Sequence, residues 1–354
     1  MKRWLNRFGG PYIILAYPGF GTAERLSLCG RVLEDEGFRP ARDADRAWRN
    51  LVEMYKRFES DEVPGARVRA RFQGAEVEAV SDEEGYFHLE LHPNGTIGSG
   101  AWHEVALELI EPAGGATATG RVLVPPASAR FGIISDIDDT VIRSNVTQKI
   151  RMVLALALSN ARTRKPFAGV AALYRALHDG ASGTEANPIF YVSKSPWNLL
   201  PPLLDFLEHQ LIPLGPLLLR DYGRHLLLSG GGHKVRSIDH ILRTYTEMEF
   251  VLIGDSGEQD PEIYREVVRR WPQRIRSIYI RSVDTDPARV AAIDRLAEEV
   301  RPTGSQLVLV PDSTFAAVHA AAEGLISPAA LTAVRRDQAA DAAATPVARA
   351  SSRR

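Results

Sequence analysis

Past Pro125-Pro126 the chain changes texture: short, fully apolar runs alternate with longer stretches of helical periodicity. Apolar runs of this length between helical patterns are the habit of strands buried on both faces, which restricts this half of the chain to an α/β architecture with a parallel sheet. The strand candidates are Phe131 to Ile134, Ile189 to Val192, Phe250 to Ile253, Ser277 to Ile280 and Leu307 to Val310. Helices lie between them, among them Asn198 to Gln210 and Val235 to Tyr245. Three of the runs lead directly into a residue capable of chemistry: Asp136 shortly after Ile134, Ser193 after Val192, and Asp255 after Ile253-Gly254. Ligands of open parallel sheets bind outside the carboxyl ends of the strands, so three such ends can face one crevice.

Before the two prolines the apolar residues come in short, often alternating runs separated by turn residues, which is strand behaviour. Val68 to Phe72, Ala75 to Val80, the turn Ser81-Asp82-Glu83-Glu84-Gly85 and Tyr86 to Leu91 read as a meander of antiparallel strands. Further strands are expected near Val105 to Ile110 and Arg121 to Val124, and one helix where Trp48, Leu51, Met54, Tyr55 and Phe58 share a face. The expected organisation is a β-rich, sandwich-like domain over residues 10–127 and a Rossmann-like α/β domain over 128–326. An Ala- and Arg-rich tail over 327–354 is expected to be disordered.

Composition narrows the function classes. Lys plus Arg (43) balances Asp plus Glu (44), so no global charge favours nucleic acid, and attraction for an anion must be local. The single cysteine, Cys29, allows no intrachain disulfide and no cysteine metal cluster, which fits a reducing, cytoplasmic setting. No signal peptide is read at the amino terminus, and no window reaches the roughly 20 apolar residues of a spanning helix. Any membrane contact would be peripheral.

The densest chemistry is Asp136-Ile137-Asp138-Asp139-Thr140. A carboxylate at a strand tip can attack phosphorus to form an aspartyl phosphate. A second one, Asp138, is near enough in sequence to protonate the leaving oxygen and then activate water. Carboxylates this close are tolerated mainly when a divalent cation sits between them and a phosphate, and the added oxygens of Asp255 and Asp260 suit Mg²⁺. Ser195 and Pro196 read as the cap and first residue of a helix whose amino end would face an anion. Lys234 follows a glycine-rich bend, opens the next helix, and is placed to neutralise charge on phosphoryl oxygens.

The run Ile133 to Thr140, then Ser193, then Lys234, then Gly254-Asp255-Ser256-Gly257-Glu258-Gln259-Asp260 resembles the four ordered motifs of the haloacid dehalogenase superfamily. Within it, Asp-Ile-Asp-Asp-Thr, Tyr-Val-Ser-x-Ser-Pro-Trp and Gly-Asp-Ser-Gly-Glu-Gln-Asp resemble the actin-patch type of phosphatidate phosphatase over about residues 128–285. The resemblance implies Asp136 as nucleophile and Mg²⁺ ligand, Asp138 as general acid and base and a further ligand, and Thr140, Ser193 and Lys234 around the substrate phosphate. Asp255 would complete the metal site, and Asp260 would act behind it or through water. The implied reaction is Mg²⁺-dependent hydrolysis of phosphatidate to diacylglycerol and phosphate.

Several features have a plainer reading beside the functional one. Asp82-Glu83-Glu84 reads as an ordinary soluble turn, Trp197 equally as core or substrate contact, and His233 as a loop residue. Val146, Ile150, Val153, Leu154, Ala157 and Ala161 form an apolar face flanked by Arg143, Lys149, Arg151, Arg162, Arg164 and Lys165. That segment, within 143–170, reads as a small cap over the site or as a contact with an anionic bilayer. Two alternatives stand beside a lipid phosphatase: the same chemistry on a soluble ester with the β-rich domain as a partner module, and a catalytically silent adaptor.

Overall fold

The computed structural model describes residues 12–35, 62–137, 169–220, 232–283 and 286–343. The expected helix around Trp48 to Phe58, the residues Asp138 and Thr140, the 143–165 segment and residues 344–354 lie outside these.

The amino-terminal part is a β-rich sheet of eight strands: β1 (Tyr12–Ala16), β2 (Gly19–Gly21), β3 (Leu26–Glu34), β4 (Arg67–Phe72), β5 (Ala75–Val80), β6 (Tyr86–Leu91), β7 (Trp102–Glu111) and β8 (Thr117–Leu123). The order is β1-β3-β2-β8-β7-β4-β5, with β6 paired to β3. Alternation works as the sequence implies. In β4, Val68, Ala70 and Phe72 point into one core with Leu26, Leu28, Leu89 and Leu107, while Arg69 and Arg71 face outward to Glu78 and Glu76 of β5. Such exposed pairs add little stability but favour one register. The two halves of the sheet approach closely where β8 passes β3. A Cβ on Gly120 would lie 2.6 Å from Leu28 Cδ2.

The meander expectation needs one correction. β4 and β5 form the expected hairpin, but β6 pairs antiparallel with β3, Leu28 opposite Leu89. Period-two alternation specifies which face a strand buries and not which neighbour it takes.

The second sheet contains β9 (Gly132–Asp136), β10 (Ile189–Pro196), β11 (Leu217–Arg220), β12 (Phe250–Asp255), β13 (Ile275–Arg281) and β14 (Gln306–Val310). All its pairs are parallel, in the order β11-β10-β9-β12-β13-β14. Its helices are α1 (Val170–Asp179), α2 (Leu200–His209), α3 (Gly232–Thr244), α4 (Asp260–Arg270), α5 (Pro287–Val300), α6 (Ser313–Ala322) and α7 (Pro328–Ala343). One core holds residues of α1, α2, α6 and α7, and the other those of α3, α4 and α5, so both faces are covered and β12 is buried along its whole length. The chain runs outward from β9 to β10 and β11, then returns through α3 to β12 on the other side of β9. That reversal lies at the carboxyl end of β9, the place where ligands of open parallel sheets bind.

Aromatic residues join the two sheets. Tyr17, 2% exposed, stacks on Trp197 with centroids 4.3 Å apart and planes 5° from parallel. Phe20 meets Phe190 edge-on at 5.4 Å. Trp197 therefore serves as packing between the sheets.

Two further expectations are corrected. Ser195 does not cap a helix: β10 continues to Pro196, a 3-10 turn spans Trp197–Leu199, and α2 begins only at Leu200. The Ser195 N–H donates instead to Ser193 Oγ, at 2.8 Å. Of the tail 327–354 expected to be disordered, Pro328–Ala343 form the helix α7. Alanine is the strongest helix former, and the helix docks through buried Val334 with Ala330 and Leu331 beside it, aided by an Arg175–Asp337 ion pair at 2.8 Å.

Candidate active site

β9 lies between β10 and β12, and the register sets Val192 opposite Asp136 and Ile253 opposite Ser135. Ser193 and Asp255 consequently emerge on either side of Asp136, at the end of the sheet where the strand reversal lies. The Asp136 side chain is wholly buried, as are those of Asp255 and Ser193. Behind it, Ser135 Oγ donates to the Asp136 carbonyl (2.7 Å) and lies 2.5 Å from the Tyr174 hydroxyl of α1, which fixes the strand end.

Lys234, in the first turn of α3, is 1% exposed. Its Nζ lies 2.8 Å from Asp136 Oδ1, 2.6 Å from Asp260 Oδ1 and 3.1 Å from Glu258 Oε2. Burial alone would favour the neutral amine. The carboxylates of Asp136, Asp260 and Glu258 outweigh it and hold the lysine charged, far above its ordinary range.

The loop after β12 is shaped by its own carboxylate. Asp255 Oδ1 accepts the N–H groups of Gly257 (2.7 Å) and Glu258 (3.1 Å), turning the chain toward Asp260, the first residue of α4. An acidic residue is favoured there by the helix dipole. Asp260 uses both oxygens, one toward Lys234 and the other accepting the Asp255 N–H at 3.2 Å. Gly254 is required by packing, since a Cβ there would lie 2.6 Å from Asp260 Oδ2. From α5, Arg289 reaches back to the Ser256 carbonyl (2.8 Å), the Glu258 carbonyl (2.7 Å) and the Glu262 carboxylate.

Among the described residues, Asp136, Asp255 and Asp260 form a group whose ligand oxygens all lie within 4.8 Å of one another. Burial, followed by the nearby Asp260, pushes the Asp255 carboxyl up to about 6. Burial also raises Asp260, although Lys234 opposes the shift. Such a cluster of carboxylate oxygens from Asp136, Asp255 and Asp260 fits a hard divalent cation such as Mg²⁺.

Of the residues expected at the site, Asp136, Ser193, Lys234, Asp255 and Asp260 are thus gathered at one sheet edge, while Asp138 and Thr140 fall outside the described residues. His233 lies in the first turn of α3 with its Nε2 3.3 Å from the Leu218 carbonyl, and its burial lowers its basicity. Asp82 Oδ1 accepts the N–H groups of Glu84 and Tyr86, each at 2.9 Å, as in an ordinary turn. Three contributors were missed from sequence. Lys194 and Glu258 stand inside the quoted motifs, where their charges were the available signal. Arg289 carries none.

Residues 131–282 match the family described as phosphatidate phosphatase APP1, catalytic domain. The chain is 32% identical over 168 residues to Phosphatidate phosphatase APP1 of Saccharomyces cerevisiae, an alignment covering 46% of this chain and 28% of that protein. A Schizosaccharomyces pombe protein described only as uncharacterized is 30% identical over 220 residues, covering 60% of this chain and 35% of its own length. The chain thus spans about a third of the length of these relatives. The segment from β9 to β13 is similar to actin-patch type phosphatidate phosphatases, as its motifs implied. A carbohydrate acetylesterase from Xanthomonas citri aligns over 90% of this chain and 70% of its own at 10% identity, with a TM-score of 0.32 that bears no weight on the fold.

Proposed function

We propose that the protein is a Mg²⁺-dependent phosphatase of haloacid dehalogenase type that hydrolyses a phosphate monoester through an aspartyl phosphate on Asp136, with phosphatidate as its substrate. The observation carrying this reading is the placement of Asp136, a buried carboxylate at the tip of the central strand, 2.8 Å from a fully buried lysine and beside Asp255.

In the proposed reaction a carboxylate oxygen of Asp136 bonds to phosphorus as the bond to the ester oxygen breaks. Asp138 supplies the proton that the leaving alcohol takes, then removes one from the water that attacks the acyl phosphate and regenerates Asp136. Lys234 keeps its proton throughout and donates to a non-bridging phosphoryl oxygen, joined by Ser193 and Thr140. Asp136, Asp138 and Asp255 would hold Mg²⁺, with Asp260 orienting Lys234 behind them; when bound, the ion offsets charge on the phosphoryl oxygens. Among the described residues no helix is long and apolar enough to cross a membrane, and the proposed lipid substrate would be met at the bilayer surface.

Phosphate release should be followed on phosphatidate vesicles and on a panel of soluble monoesters, with Mg²⁺ or with chelator, for the parent and for Asp136→Asn. Release from vesicles that needs Mg²⁺ and disappears in the folded variant supports the reading. Turnover confined to soluble esters would assign the same chemistry to a soluble substrate, and none at all would make the chain an adaptor.

A further inference from the structure

Glu258 stands where two cations converge. Its Oε2 is 2.9 Å from Lys194 Nζ and 3.1 Å from Lys234 Nζ. Lys234 does not depend on this contact for its position, because Asp136 and Asp260 hold it at 2.8 and 2.6 Å. The Glu258 main chain is pinned on both sides, its N–H by Asp255 Oδ1 and its carbonyl by Arg289. The Glu258 side chain is 25% exposed, and that of Lys194, on β10, is 30% exposed. A partly exposed anion is therefore carried on a loop whose main chain is held on both sides. Burial alone would favour its protonated form, but Lys234 and Lys194 hold the carboxyl below its ordinary range.

Two ammonium groups about 3 Å from one anionic oxygen is the arrangement a phosphate oxygen takes. We propose, on the basis of the phosphate-ester reading above, that the Glu258 carboxylate stands in for the substrate phosphate: it holds Lys194 and Lys234 until substrate binds, and the phosphoryl group then displaces it. Lys194 becomes a second phosphate-binding lysine, and Glu258 a specificity residue. The exchange moves one carboxylate out of a site already rich in them, which relieves repulsion against an incoming dianion. A phosphate carrying only one charge competes less well for the two lysines, so the arrangement selects monoesters over diesters.

The test uses the full chain with Mg²⁺, inorganic phosphate as the calorimetric probe, and a small aryl phosphate monoester for kinetics. Glu258→Gln should bind phosphate about tenfold tighter, and Lys194→Gln about tenfold weaker with a matching rise in KM. The two changes should not add in the double variant, because the groups share one contact. Should Glu258→Gln fail to fold, Glu258→Asp, one methylene too short to bring its oxygen to both lysines, carries the same expectation. Unchanged or weaker phosphate binding by the folded Glu258 variants, or unchanged binding by Lys194→Gln, overturns the inference while leaving a parent that turns over ester a phosphatase. A parent that neither binds phosphate nor turns over ester overturns both readings.

Discussion

Replacing Lys234 by methionine keeps the aliphatic stem and removes the ammonium that contacts both Asp136 and Asp260. Both of those carboxylates are fully buried, and the lysine that contacts them at 2.8 and 2.6 Å is 1% exposed. Removing one partner from so dry an ion pair takes away the ammonium that offsets two buried carboxylates, at a cost of about 3–5 kcal/mol. Against a total stability of about 5–15 kcal/mol this is a large fraction, readable as a lower midpoint in urea at neutral pH with an unchanged slope. The deficit should depend on pH in a definite direction. Burial already raises the Asp260 carboxyl in the parent despite the lysine's opposition, so losing the lysine raises it further. A carboxyl whose folded value exceeds its unfolded one of about 3.9 binds its proton more tightly when folded, and stability then falls as pH rises above that value. The gap between variant and parent should therefore narrow on acidification toward about pH 4. A folded Lys234→Met protein within about 1 kcal/mol of the parent at neutral pH, with a gap insensitive to pH, would refute the electrostatic reading of the cluster.

Three other outcomes are expected. Tyr17→Ala should cost about 3–5 kcal/mol in chemical denaturation by emptying the stack on Trp197, whereas Tyr17→Phe, which keeps the ring, should cost about 1 kcal/mol. Gly254→Ala places a Cβ 2.6 Å from Asp260 Oδ2, and the displaced carboxylate should lower kcat by about 100-fold while circular dichroism stays that of the parent. Val334→Asp puts an unpaired charge where α7 docks, and should lower stability by at least ~2 kcal/mol with loss of hydrogen-exchange protection across Pro328–Ala343.

The parallel sheet was legible because β9, β10 and β12 are buried on both faces, which demands unbroken apolar runs such as Phe250 to Ile253. Their polar endings then named Asp136, Ser193 and Asp255 together. β11 escaped notice: four residues, Leu217–Arg220, beyond a Gly-Pro pair do not separate a strand from a loop. The helix α7 was missed because its alanine content supplies helix propensity without a visible stripe, and docking rests on Val334 with a few small neighbours. Partners distant in sequence were equally hidden. Nothing near Tyr17 announces Trp197, and nothing near Arg289 announces the loop at Ser256 to Glu258 that it holds.

Asp136 as a covalent nucleophile is tested most directly by mixing the protein with a monoester labelled in its phosphoryl group, quenching in acid within a turnover, and mapping the label. The expected result is an acyl phosphate, labile to hydroxylamine, on the peptide containing Asp136 and missing from Asp136→Asn. Turnover by the parent with no labelled protein at any quench time, together with phosphate release by a folded Asp136→Asn protein, would contradict it.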